Sequence, residues 1–167
     1  MSTKVNVVDI IKEHWRTLYD SDTGKLSCLD IFSFLILPLM VSISSSVFKF
    51  KIDDSTLSIL VNFGAIFTAL LLSVLVLVYD QKSKATGSNE KVALDELFNN
   101  VCYSVLISIS MVVFCLLSKI FENVFFEYKD NQIFISVIFL SPIVIFLLSH
   151  LVLTILMVLK RLHALLG

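Results

Sequence analysis

The sequence predicts an all-α integral membrane protein, a four-transmembrane-helix bundle with an N-terminal amphipathic cytoplasmic helix. Three observations predict it. Of 167 residues, 57% are hydrophobic and 16% charged, against about 45–50% and 25% in an ordinary soluble domain. The apolar residues gather into four blocks, each long enough to cross a hydrocarbon core of about 30 Å. No block carries Asp, Glu, Lys or Arg in its central part, and none alternates apolar with polar residues, which excludes a membrane β-barrel and leaves the backbone to satisfy itself in helices. Four Gly and two Pro argue against a loop-built scaffold, and a chain of this size allows one domain at most. Residues 1–26 form the N-terminal helix and turn, and 27–167 the transmembrane domain.

From Val5 to Asp20, helical spacing puts Val7, Val8, Ile11, Trp15, Leu18 and Tyr19 on one face and Asp9, Lys12, Glu13, Arg16 and Asp20 on the other. The charges nearly cancel, so the stripe either rests on the lipid interface or docks on protein. Mixed charge before the first apolar block argues against a targeting peptide. Leu26-Ser27-Cys28 lacks the apolar run of a lipoprotein site. Asp20-Ser-Asp-Thr-Gly24-Lys25 fits neither an EF-hand loop nor a phosphate loop and reads as a turn. Ser27 and Asp30 have the spacing of a capping box.

The spans follow at about 31–48, 57–79, 101–121 and 133–159, with a connection at 80–100. Lys84 to Asn89 is turn-like. A helix capped by Ser88 or Asn89 then runs from Glu90 into the third span, with Leu94, Leu97, Phe98 and Val101 on one stripe. The fourth block is long enough to tilt, bend or project into water. Nine of the 13 Lys and Arg fall in the N-terminal segment, the central connection and the C-terminus, and four in the other two connections. That bias places both termini and the connection 80–100 in the cytoplasm.

Polar chemistry inside the spans is sparse. Cys28, Cys102 and Cys115 form no Cys-x-x-Cys, which disfavours a disulfide-forming enzyme. His14, His150 and His163 have no metal-ligand spacing. His150 alone lies within a span, where it either lines a pore and relays protons or sits neutral, bonded to a Ser or a backbone carbonyl of a neighbouring helix. His150, Ser108 and Asn62 are the pore or gating candidates. The span serines are expected to bond across helix contacts. Gly64-x-x-x-Thr68 and Ala65-x-x-x-Ala69 mark the second span for close helix packing, within the bundle or between protomers. Pro38 and Pro142 each remove a backbone donor in mid-span and can kink their helices. No embedded Ser-His, His-Asp or paired-carboxylate arrangement points to an enzyme, and nothing calls for a cofactor, a metal or nucleic acid.

Four short spans are similar to those of small multidrug transporters, but their embedded carboxylate is missing here. Asp30 stands only at a span edge. The amphipathic start VVDIIKEHWRTLYD, Asp30 leading into IFSFLILPL, the span FGAIFTALLLSVLVLVYDQK and the helix LDELFNNVCYSVLISI resemble the four-helix inner-membrane proteins of bacterial anti-phage defence, of the Kiwa membrane-subunit and RexB type. The resemblance implies a non-enzymatic, oligomeric inner-membrane component that senses envelope disturbance, or permeabilises the membrane, and works with a cytosolic partner. Trp15, Leu94, Leu97 and Phe98 are the partner-surface candidates. The competing expectation is a pore-forming or depolarising effector, or a small ion or solute channel.

Overall fold

The computed structural model describes residues 7–17, 32–128 and 131–166. The expected turn at 20–25, the Ser27–Asp30 capping box and Cys28 lie outside them, as do Leu18 and Tyr19. Helix α1 spans Val7–Arg16. A π-helical stretch, Phe32–Ile36, leads into α2, Leu37–Val47. Helices α3, Asp54–Lys84, and α4, Ser88–Ile120, follow. Strands β1, Phe125–Tyr128, and β2, Asn131–Phe134, form an antiparallel hairpin that pairs Phe125 with Phe134. A second π-helical stretch, Ser136–Leu140, opens α5, Ser141–Leu166.

Asp54–Lys84, Ser88–Ile120 and Ser136–Leu165 are long and apolar enough to cross a membrane, while Phe32–Val47 is shorter. At about 1.5 Å per residue, α3 and α4 exceed the thickness of a hydrocarbon core by several turns. The expected span 57–79 is therefore the apolar middle of α3, and 101–121 is the C-terminal part of α4 up to its C-cap Phe121. The connection 80–100 is mostly helix, because only Ala85 to Gly87 separate α3 from α4. Gly87 is the N-cap of α4, with no side-chain cap bond, and Ser88 and Asn89 lie inside the helix. So short a reversal leaves the one glycine at the extended cap position. The start of the block 133–159 is spent on β2 and the π-helical stretch. Period-two alternation is too brief in Phe-Phe-Glu-Tyr to announce a strand.

Both mid-block prolines sit where π-helix gives way to α-helix. Pro38 is the second residue of α2 and Pro142 the second of α5. A proline at the first turn of an α-helix costs no bond within that segment, whereas the carbonyl four residues earlier loses its donor.

Helix α4 lies between α3 and α5, α2 runs along α5, and α1 rests on α4. Among the described residues α2 and α3 make no close backbone approach, so the helices form an open row. Two apolar cores hold α3, α4 and α5 together. One gathers Leu57, Met111, Cys115, Val144, Leu147 and Leu151, the other Leu71, Val78, Leu94, Leu97, Val101 and Val158. Charged residues gather at the two ends of the helices. Lys51–Glu122 and Lys119–Asp54 pair beside the hairpin, and Lys82–Asp95 and Arg161–Glu96 at the opposite end. At the hairpin end, the Asp53 carboxylate caps α3 by accepting from Thr56 N–H and from the Ser55 and Thr56 hydroxyls.

Candidate functional site

A buried polar cluster lies where α1 meets α4 and α5. Ile10, His14 and Thr17 recur at i, i+4 and i+7 and so form a stripe of their own on α1. His14 and Thr17 are buried, while Val7, Val8, Ile11 and Trp15 are exposed. The helix thus docks by a polar edge beside its apolar stripe. The stripe itself faces outward.

His14 Nδ1–H donates to Asn100 Oδ1 on α4 at 2.8 Å, and its ring stacks on Tyr103 with centroids 3.8 Å apart and planes 6° from parallel. The Thr17 hydroxyl, which has one proton to give, lies 2.7 Å from the His14 carbonyl and 2.8 Å from Asn100 Oδ1. Arg161 of α5 closes the end of α1 by donating to the Thr17 carbonyl at 2.7 Å and to Glu96 at 2.8 Å. A cation there also suits the negative end of the helix dipole. Asn100 Nδ2 is buried without a hydrogen-bond partner among the described residues. Burial pushes the His14 imidazole down to about 4, the Asn100 bond opposes that shift, and repulsion from His150 and Arg161 adds to it.

Tyr103 links this cluster to the interior, its hydroxyl 2.8 Å from His150 Nε2. His150 Nδ1 lies 2.8 Å from the Phe34 carbonyl. A carbonyl only accepts, so Nδ1 carries the proton and Nε2 accepts from Tyr103. Phe34 is the residue whose α-helical donor would be the nitrogen of Pro38, which has no hydrogen. The proline thereby leaves an acceptor for His150. The Phe146 ring lies parallel to the imidazole at 5.8 Å.

The three pore or gating candidates do not converge. His150 is held between α4 and the π-helical stretch that leads into α2. Ser108 donates to the Gly64 carbonyl at 2.9 Å, in the contact between α3 and α4. Asn62 is exposed and lines a separate cavity of about 230 Å³ with Leu57, Val61 and Lys119. Of the packing residues, Gly64 and Thr68 face α4, where the Thr68 hydroxyl lies 2.8 Å from the Gly64 carbonyl and 3.0 Å from Ser108. Ala65 and Ala69 are exposed on another side of α3. Among the span serines, Ser42 and Ser108 bond across helices, whereas Ser104 and Ser110 bond back to the carbonyl four residues earlier. A short hydroxyl reaches its own preceding turn more readily than a neighbour.

Of the partner-surface candidates, Leu97 is fully buried and Leu94 nearly so. Both belong to the core between α3, α4 and α5, although they also line an apolar groove of about 310 Å³ with Val74, Leu77 and Leu165. Phe98 is half-buried beneath the Lys82 ammonium, 5.6 Å from the ring centroid, and Trp15 is partly exposed. Sequence reasoning missed His14, Thr17, Asn100, Tyr103 and Arg161 as a group. The available signal was spacing: polar residues three apart on α1 and again at the start of the uncharged run of α4. Comparison with known protein families, with curated proteins and with solved structures returns no match to this chain.

Proposed function

We propose that the chain is a non-enzymatic, multi-pass component of the bacterial inner membrane, with both termini cytoplasmic. It acts there as an oligomeric sensor or scaffold of the anti-phage-defence kind that its sequence resembles, and signals to a cytosolic partner. The observation that carries this reading is the way α1 is attached. Neither apolar core takes a side chain from α1. The helix is held instead by the hydrogen bonds and ring stacking of His14, Thr17, Asn100, Tyr103 and Arg161, each bond worth about 1 kcal/mol net. An element fastened this way can detach without unfolding the cores, and its fastening reaches His150 through Tyr103. That is the physical requirement of a two-state reporter.

Four crossings are supported by the course of the chain along α5. The Thr17 carbonyl lies at Arg161, near the C-terminal end of α5, and the Ser42 hydroxyl donates to the Pro142 carbonyl at its start. From Phe34 at His150 to Ser42 at Pro142 the described chain runs antiparallel to the first part of α5, and Thr17 is held near the other end of that helix. The Lys and Arg bias then puts the Arg161 end in the cytoplasm. Interhelical bonding of Ser108 and His150 favours a packed interior over a conducting one.

Ion flux across proteoliposomes, measured beside a pull-down of cytosolic proteins with the full chain, tests the reading. The expected result is a stoichiometric partner and no flux. Flux from the chain alone, without a partner, would overturn it in favour of the pore.

A further inference from the structure

We infer that the apolar stripe of α1, built on Val7, Ile11 and Trp15, lies in the lipid of the cytoplasmic leaflet beside α4, and that this lipid interface is what α1 reports on.

Among the described residues nothing covers the stripe. Val7, Ile11 and Trp15 remain 43%, 37% and 38% exposed, although α1 is docked, because the docking consumes His14 and Thr17 instead. Its level relative to the bilayer follows from the docking partners. His14 meets Asn100 and Tyr103, where α4 passes from Glu90, Lys91, Asp95, Glu96 and Asn99 into an uncharged run from Val101 to Ser118. That is the boundary between headgroups and hydrocarbon. The stripe is therefore continuous with the lipid-facing surface of the spans, and the charged residues of α1 lie on another side. Those charges, Asp9 and Glu13 against Lys12 and Arg16, cancel. Attraction to anionic headgroups then contributes little, and insertion of apolar side chains drives the contact. A helix of this kind responds to how tightly the interface is packed. For the proposed sensor, that names the perturbed interface of the bilayer as the input.

The inference rests on reading α3, α4 and α5 as spans, and the experiment separates the two. Trp15 is the only tryptophan in the chain. The full protein is reconstituted in phosphatidylcholine vesicles, with or without lipid brominated near the top of the acyl chains. A second sample carries Trp15→Phe with Leu70→Trp, which moves the probe to an exposed position midway along α3. The expected result is loss of Trp15 emission to brominated lipid, protection from aqueous iodide, and the same loss when anionic lipid is added. Quenching of Trp15 by iodide but not by bromine would overturn the inference by placing the stripe in water. Protection from both quenchers would overturn it by showing a protein cover, from a second copy or another chain. Quenching that requires anionic lipid would overturn the insertion-driven mechanism. If the probe at position 70 escapes lipid brominated near the ends of the acyl chains, at its own depth, the membrane reading itself fails.

Discussion

Protonating His14 would place a second cation beside Arg161 inside a buried contact, so the docked helix requires the neutral ring. Burial, opposed by the Asn100 bond and reinforced by repulsion from His150 and Arg161, holds the docked imidazole at about 4, whereas a solvated histidine titrates near 6.5. The folded value lies below the free one. Docking is therefore fully favoured above about pH 6.5 and weakens as the pH falls through 6.5 towards 4, by on the order of 3 kcal/mol at the bottom of that window. An NMR titration of the His14 ring in the micelle-bound protein is expected to show no protonation at pH 6, and a midpoint of 6.5 would contradict it. His14→Gln, which keeps a hydrogen-bonding group towards Asn100 but cannot titrate, is expected to abolish the pH dependence of α1 docking.

The contact of α3 with α4 turns on the one glycine inside a long helix. A Cβ on Gly64 would sit 2.5 Å from Val112 Cγ2 and 2.9 Å from Met111 Cε, closer than carbon atoms tolerate. Gly64→Ala must push the helices apart or force the two side chains aside, and it also disturbs the carbonyl that accepts from Ser108 and lies beside Thr68. A loss of about 1–3 kcal/mol is expected, the usual range for overpacking, read as a lower unfolding midpoint in detergent. Ala65→Leu and Ala69→Leu, on the exposed side of the same helix, should leave that midpoint unchanged; equal losses from all three would mean that α3 packs in another rotation. Glycine at this spacing was legible as a packing device because its signal is local. So were the long helices, whose apolar runs have no alternative in a membrane. The docking edge of α1 was not legible, because the largest sequence signal on that helix is the apolar stripe, and its use depends on partners some 80 residues away. The β-hairpin escaped for a related reason: Phe125 and Phe126 are adjacent, so the segment shows no apolar–polar alternation, and their partners Phe134 and Ile133 lie on another strand.

At the scale of the whole molecule, the open row of helices sets the topology to be tested. Helix α2 lies antiparallel to α5, since Phe34 meets His150 and Ser42 meets Pro142. With α5 entering at the hairpin and leaving at Arg161, the end of α2 must emerge on the hairpin side, and α1 must remain on the Arg161 side where Thr17 is held. Single cysteines in a background with Cys28, Cys102 and Cys115 replaced by Ala can read this directly. Lys12→Cys and Thr86→Cys report on the Arg161 end, and Phe50→Cys and Glu127→Cys on the hairpin end; all four positions are exposed. With a maleimide that cannot cross membranes, intact cells are expected to label positions 50 and 127, and positions 12 and 86 only after lysis. Labelling of 12 together with 50 in intact cells would mean that the short helix Phe32–Val47 does not cross, leaving the three long helices as the spans. Labelling of 12 and 86 but not 50 and 127 would invert the molecule, putting α1 in the outer leaflet and out of reach of a cytosolic partner.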